Sequence, residues 1–429
     1  MRVAPAPAPA LVAAHMRTGV VALNVLTAAL RHDPRTADLP IDFARTADAL
    51  AEHVRARCAE GRPVVVAWSF YSTDLDPALA DLARVRAATA DLPGVTHLAG
   101  GVHATAEPRS TLDAGFDLVA LGEGERTIVE VLLAAREGRP LRGAAGVAWR
   151  DEGVMRDAGY GAREPLDAHP AFNDVDGKYN AIEITRGCVY ACTFCQTPFM
   201  FKARFRHRSV ENVAEHAKTL RARGMRDVRF LTPTCLSYGS DDTSPRLDAV
   251  EALLAAVRAA MGPDGRIFFG TFPSELRPEH VTDEALRVLR RYVSNDNLVI
   301  GAQSGSQRVL DRTRRGHSVD DVRRAVARCL AHGLRPNVDF LFGACDETPE
   351  DHAASVALMR ELTEQGARIH MHAFMPLPGT PLRDAAPGKI PEEVRSVVDA
   401  LQAKGRSYGP WRQHLVAAER LAARRRAQR

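Results

Sequence analysis

The sequence predicts an α/β protein in two parts: a doubly wound sheet domain, followed by a partial (β/α)6 barrel. Three observations predict it. Short apolar runs alternate with helix-period segments from residue 16 to about 150. The alternation lapses in a stretch with scattered Gly, Pro and Asp, then restarts at Asn180 and continues to about 376. The length, 429 residues, exceeds what one core of ordinary size holds.

The elements follow in order. MRVAPAPAPA is low-complexity and is expected to be disordered. PVVVAWSF (63–70) is a short apolar run bounded by Pro and polar residues, the mark of a buried parallel strand. DPALADLARVRAATA (76–90) has helical spacing. VTHLAGG (95–101) and FDLVALGEGE (116–125) each read as a strand entering a Gly turn, and TIVEVLLAAREG (127–138) as a helix ending at Gly. GVAWRDEGVMR (146–156) reads as a β-hairpin. In the second half the strands are AIEITRG, VRFLTP, RIFFGTFP, LVIGAQS, NVDFLFG and ARIHMHAF. Helices are expected between them over 209–223, 246–260, 282–292, 318–332 and 349–364. That is fewer than the eight strands of a closed TIM-type barrel, so an open barrel is expected. ERLAARRRAQR (419–429) reads as a basic, solvated terminus. The expected boundaries are a disordered Pro/Ala N-terminus over 1–15, the first domain over 16–157, a linker over 158–178, the barrel over 179–385, and a C-terminal helical extension with a basic tail over 386–429.

Composition narrows the class. Hydrophobic residues make up 45% and charged residues 26%, as in a soluble globular chain. The net charge of +4 gives no reason to expect a nucleic-acid partner. No run approaches the ~18–20 apolar residues of a membrane span. The apolar segment LVAAHMRTGVVALNVLTAAL is broken by His15, Arg17 and Asn24, so neither a signal peptide nor a membrane contact is expected. Seven cysteines, an odd number with three of them clustered, do not look like a disulfide framework, and a cytoplasmic location is expected.

Three of those cysteines, Cys188, Cys192 and Cys195, fall within eight residues in TRGCVYACTFCQTPFMF. Structural zinc wants four closed ligands, and no second CxxC pair completes a set; His207 is the nearest other candidate. Iron–sulfur clusters are held by thiolates, and three on a four-iron cube leave one iron open for a small molecule.

This stretch resembles the signature of the radical S-adenosylmethionine family, C-x3-C-x-aromatic-C after the first strand of a partial barrel, with Phe194 at the aromatic position. The resemblance covers about 180–380. It implies a 4Fe–4S cluster on Cys188, Cys192 and Cys195, S-adenosylmethionine on the open iron, and a 5′-deoxyadenosyl radical that abstracts hydrogen from unactivated carbon. LVIGAQSGS, RRGHS and NVDFLFG look like the family's later strands. By that similarity Phe194, Thr232, Gln303, Ser304, Arg315, Asp339 and Gly343 would contact S-adenosylmethionine, with Arg315 facing its carboxylate. HAFMPLPGTPL (372–382) resembles the closing strand and loop.

Two places depart from the pattern. Thr232-Pro233-Thr234 stands where Gly-Gly-Glu is usual, and GACDET (343–348) where Gly-Leu-Pro-Gly-Glu-Thr is usual. Both put a cysteine at a strand end, Cys235 and Cys345, where barrels do chemistry; these are candidate catalytic residues, against the plain reading of small buried side chains.

The first domain resembles the cobalamin-binding domains fused ahead of such barrels, through VVAWSFYST and LAGGVHATAEPRSTLDAGFDLVALGEGERT. The resemblance implies cobalamin contacts at Ser69, Thr73, Gly100, Gly101, Gly122 and Glu123. The Asp-x-His-x-x-Gly motif that supplies a histidine to cobalt elsewhere is absent. The expected function is a cobalamin-dependent radical methyltransferase acting on an unactivated carbon of a small molecule, with a one-electron reductant such as flavodoxin or ferredoxin. The alternatives are a radical cyclase or oxidase without methyl transfer, and a non-catalytic iron–sulfur sensor. Methylthio transfer to RNA would expect a second three-cysteine domain before the barrel, where Cys58 is the one cysteine. FKARFRHRS (201–209) is expected to shield the cluster, or else to bind an anionic substrate.

Overall fold

Each residue of a strand buried on both faces must be apolar, and successive residues must feed opposite cores. In VVVAWS, Val64, Val66 and Trp68 enter one apolar cluster while Val65 and Ala67 enter another. The structure, a computed structural model, describes residues 7–16, 19–344 and 346–427; it divides into two compact units, Met1–Asn180 and Ala181–Arg429.

The first unit runs β1 (Ala10–Ala14), α1 (Val20–His32), β2 (Ile41–Ala44), α2 (Ala47–Ala59), β3 (Val64–Ser69), α3 (Leu75–Ala88), β4 (Val95–Gly100), α4 (Gly101–Ala106), α5 (Pro108–Asp113), β5 (Leu118–Ala120), α6 (Glu125–Arg136), β6 (Val147–Asp151) and β7 (Val154–Asp157). Among the described residues the sheet order is β2-β1-β3-β4-β5-β6-β7. Pairing is parallel through β5 and antiparallel in the hairpin that follows. The order reverses direction at the β1/β3 boundary, the topological switch point at which doubly wound sheets bind ligands.

The expected disordered N-terminus, 1–15, is corrected over residues 10–14, while residues 1–6 lie outside the described residues. Ala10–Ala14, fully buried, is β1 at the sheet's centre. Alanine is small enough to sit between helices on both faces, and the Pro/Ala bias masked an ordinary buried strand. The expected linker is also anchored: Asp176 pairs with Arg31 at 2.9 Å, and Asn173 Nδ2 donates to Thr27 Oγ1 at 3.0 Å, so it belongs to the first unit.

The second unit runs β8 (Ile182–Glu183), β9 (Thr185–Arg186), α7 (Gln196–Met200), β10 (Arg206–His207), α8 (Val210–Ala222), β11 (Asp227–Leu231), α9 (Leu247–Met261), β12 (Arg266–Phe268), α10 (Asp283–Tyr292), β13 (Asn297–Gln303), α11 (Gln307–Arg312), α12 (Val319–Ala331), β14 (Arg335–Phe342), α13 (Pro349–Gln365), β15 (Arg368–Ala373), α14 (Glu392–Ala403), β16 (Ser407–Tyr408) and α15 (Trp411–Ala427). Helix starts obey local chemistry. Ser209, Thr282, Ser318 and Thr348 each accept a backbone N–H as N-caps, and Ser318 and Thr348 form full capping boxes with Asp321 and Asp351. Parallel pairing joins β8-β11-β12 and β13-β14-β15-β16. The segment after β12 bridges the two sets, since Leu276 N donates to Val299 O and Gly301 N to Leu276 O. The expected partial barrel is therefore present. The C-terminal extension is not wholly helical, however: Ser407–Tyr408 adds a parallel strand beside β15.

Candidate functional site

The three-cysteine loop leaves the barrel directly after β9. Gly187 makes the exit with φ +84°, and a Cβ there would fall 2.0 Å from Arg204 O, so only glycine fits. Cys192 is buried; Cys188 and Cys195 are partly so. Cys195 N donates to Cys192 O at 3.1 Å, closing the turn between them, and Thr193 N donates to Thr313 O at 3.1 Å, tying the loop to the stretch that carries Arg315. Tyr190 roots the loop: its hydroxyl donates to Thr243 O at 2.8 Å, and its ring lies under the Arg277 guanidinium at 3.5 Å. Phe205 packs against Tyr190 and Cys192, with Phe194 beside them. Of the segment 201–209, Phe205 thus packs onto the thiol loop.

Burial pushes the Cys188 thiol up to about 12 and raises that of Cys195. Proton loss there requires a cation to take the sulfur. His207 cannot complete a zinc site. Its Nδ1 lies 2.9 Å from Thr185 Oγ1 and its Nε2 2.8 Å from Ser240 O, so both nitrogens are engaged. A cube is wider than a single ion, and the thiols are not among the described groups whose ligand atoms all lie within 4.8 Å of one another.

Next to the thiols stands Arg315. It is buried; its Nη1 donates to Cys192 Sγ at 3.4 Å and its Nη2 to Gly301 O at 2.6 Å, while its Nε is buried without a hydrogen-bond partner. A Cβ built on Gly301 would lie 3.0 Å from Arg315 Nη2, 3.2 Å from Gln303 Nε2 and 3.8 Å from Glu275 Oε2. Gly301 thus marks a point where a guanidinium, an amide and a carboxylate converge. Burial, then the nearby Asp339 carboxylate, raises the pKa of Glu275; burial raises that of Asp339. The donor set fits a zwitterionic amino acid beside an iron cube: the fork of Arg315 for a carboxylate, Glu275 for an ammonium.

Other expected residues divide. Gln303 ends β13 in a left-handed conformation, φ +73°, which turns its amide toward Arg315. Asp339, on β14, bonds His370 Nδ1 at 2.9 Å. Thr232 is buried, its hydroxyl spent on Thr234 O at 3.2 Å. Gly343 turns the chain after β14 with φ +82°, its N donating to Glu347 Oε2 at 2.7 Å. Ser304 is not brought to the cluster: its hydroxyl accepts from Ser306 N at 3.1 Å and lies 3.2 Å from Ser355 Oγ, holding a turn against α13. Cys235 is fully buried and its thiol is pushed up to about 12 by that burial, the environment of a packing residue rather than a reactive one. Cys345 lies outside the described residues.

The residues missed in the sequence are Glu275, Arg277, His370, His372 and, in the first unit, His103. The signal for the histidines was the alternation I-H-M-H-A, which puts His370 and His372 on one face of β15.

In the first unit the expected contacts lie after the carboxyl ends of β3, β4 and β5. Ser69 and Gly100 are register partners. Gly101, φ +90°, leaves only 3.0 Å between an added Cβ and Ser69 Oγ, and Gly19 only 1.8 Å to Ser69 O. Thr73 lies in the short turn between β3 and α3. Gly122 N donates to Thr105 Oγ1 at 3.1 Å, and buried Glu123 faces Arg163 at 3.9 Å. His103 is buried, its Nδ1 3.0 Å from Ser72 Oγ and its Nε2 without a partner. A cradle of bare backbone at the switch point, with an orphaned imidazole nitrogen, fits a large nucleotide-tailed cofactor.

Comparison with known proteins agrees. Residues 182–359 match the radical SAM superfamily and residues 10–132 the B12 binding domain. Among curated relatives, tRNA-2-methylthio-N(6)-dimethylallyladenosine synthase of Chlorobium limicola is 30% identical over 256 residues, 56% of this chain and 54% of that protein. The Porphyromonas gingivalis protein of the same name is 32% identical over 50% of this chain and 45% of its own length. The chain thus spans about half the length of the curated relatives it matches. Among solved structures, the radical S-adenosylmethionine methyltransferase TsrM from Kitasatospora setae, with cobalamin and a 4Fe–4S cluster bound, superposes with TM-score 0.68 at 18% identity, covering 88% of this chain and 74% of TsrM. The cobalamin-dependent S-adenosylmethionine radical enzyme OxsB, with aqua-cobalamin bound, gives TM-score 0.65 at 16% identity, covering 82% of this chain and 52% of OxsB.

Proposed function

Starting from a radical SAM enzyme that carries a B12 binding domain, we propose that it is a cobalamin-dependent methyltransferase acting on an unactivated carbon of a small molecule. The observation that carries this reading is the presence of both domains in one chain. When bound, S-adenosylmethionine on the 4Fe–4S cluster supplies a hydrogen-abstracting radical, and cobalamin a methyl carrier. The chain's own residues do the rest. Cys188, Cys192 and Cys195 would hold the cluster. Arg315, whose Nε has no partner, would receive a carboxylate, and Glu275, which converges on the same point, the neighbouring ammonium. Tyr190, Phe194 and Phe205 keep water from the thiols. In the first unit, Gly19, Gly100 and Gly101 let the backbone approach a nucleotide tail.

The test is anaerobic turnover with a one-electron reductant, read by mass spectrometry. 5′-Deoxyadenosine together with S-adenosylhomocysteine, and cobalamin bound to the protein, is the expected result. 5′-Deoxyadenosine alone would favour a cyclase or oxidase. A second reading, methylthio transfer to tRNA, is favoured by the names of the curated relatives. Against it, residues 1–180 contain a single cysteine, Cys58, too few to hold a second cluster there.

A further inference from the structure

Asp339, His370 and His372 form a second cluster of metal-ligating side chains in the barrel unit. β15 alternates strictly: Ile369, Met371 and Ala373 are fully buried on one face, while His370 and His372 project from the other. The register sets Asp339 of β14 opposite His370. His370 Nδ1 lies 2.9 Å from Asp339 Oδ1 and 3.2 Å from His372 Nε2, and the three ligand atoms all lie within 4.8 Å of one another.

An imidazole nitrogen has one in-plane position, for either a proton or a lone pair. His370 Nδ1 is therefore poorly placed to satisfy both neighbours by hydrogen bonding. One cation at the centre would satisfy all three. Ligand bonds to a first-row ion run about 2.0–2.2 Å, which puts ligands on neighbouring positions roughly 2.8–3.6 Å apart, for octahedral to tetrahedral angles. The separations of 2.9 and 3.2 Å about His370 Nδ1 fall inside that range.

The rings are also held. Tyr408 stacks on His370 at 4.5 Å and 12°, and His414 on His372 at 5.4 Å and 14°; Ala373 N donates to His414 Nδ1 at 3.4 Å. Such outer support is what orients metal-binding imidazoles.

We propose that Asp339, His370 and His372 bind a divalent transition-metal ion of the zinc or iron(II) class. The site is chemically distinct from the thiol loop, because imidazole and carboxylate suit borderline ions and thiolates suit the cluster. Three protein ligands leave positions for a donor atom of a substrate, such as a carboxylate, amine or hydroxyl oxygen. The proposal does not depend on methyl transfer. It gives Asp339 a use that competes with the S-adenosylmethionine contact implied by resemblance.

The test uses the full chain with its iron–sulfur cluster reconstituted, treated with chelator, incubated with zinc and gel-filtered. Zinc and iron are then measured by mass spectrometry, and zinc ligation by X-ray absorption. Stoichiometric zinc with nitrogen and oxygen ligands is expected in addition to cluster iron. His372→Ala should lose zinc and keep iron. His372→Cys should keep zinc and add a sulfur ligand. His414→Ala should weaken zinc binding about 10–100-fold. The proposal is overturned if the parent takes up no zinc, or if His372→Ala holds as much as the parent. Should His372→Ala also lose iron, His372→Cys decides: zinc retained with sulfur ligation supports the site, and zinc lost with iron retained refutes it.

Discussion

Gly301→Ala tests the reading of the site around Arg315 most directly. The new methyl group would sit 3.0 Å from Arg315 Nη2 and 3.2 Å from Gln303 Nε2. Ordinary contact begins near 3.4 Å, so the guanidinium must retreat by a few tenths of an ångström. It is pinned by a 2.6 Å bond to Gly301 O and a 3.4 Å contact with Cys192 Sγ, so retreat weakens one or both and misaims the fork. A hydrogen bond to a charged group contributes about 1.5–3 kcal/mol, which corresponds to a roughly 10- to 150-fold loss of affinity for a ligand carboxylate. The assay is equilibrium dialysis of S-adenosylmethionine against cluster-loaded protein, with iron measured in the same samples. Affinity should fall by that factor while iron is retained, since the cluster's cysteines are not displaced. Arg315→Lys should behave similarly, because it keeps the charge and loses the planar fork. If both variants bind S-adenosylmethionine as the parent does, Arg315 is not the carboxylate partner.

Other outcomes can be checked in parallel. Cys188→Ser, Cys192→Ser and Cys195→Ser should each lose cluster iron after reconstitution; full iron in any one removes that residue from the ligand set. Cys235→Ala should leave 5′-deoxyadenosine formation unchanged, because the thiol is fully buried, and a large fall in rate would bring it into the chemistry. Burial pushes the His103 pKa from its ordinary 6.5 down to about 4, so between those values the unfolded chain takes up a proton that the folded chain refuses. Stability is then complete above about pH 6.5 and falls by about 3 kcal/mol as pH drops to 4. His103→Gln should flatten the dependence of Tm on pH over that window; parallel slopes in parent and variant would refute the assignment.

The barrel was legible because its longer strands are short apolar runs and several of its helices carry their own start signals, as in Ser318–Asp321 and Thr348–Asp351. The thiol loop was legible from spacing alone. β1 was hidden because its five residues, ALVAA, continue an Ala/Pro-rich stretch that reads as a disordered tail, and only the partners β2 and β3 make it a central strand. Glu275 was hidden because its importance comes from a convergence with Arg315 and Gln303, which lie 40 and 28 residues further along the chain. Ser304 shows the reverse. It stands next to Gln303 in sequence, yet the turn at β13's end sends its hydroxyl toward Ser355. The stretch 401–410 gave no strand signal, since the two residues of β16 pair only because β15 is already there.

That last pairing has a consequence for how the chain can be cut. Without Ser407 and Tyr408, β15 would present an unpaired backbone edge, the kind of template that recruits strands from other molecules. The same two residues place the Tyr408 ring on His370. Proteins shortened before residue 407 should therefore self-associate through β15, and at the same time release the imidazole that Tyr408 holds. Full-length protein should stay monodisperse under conditions in which the shortened form aggregates.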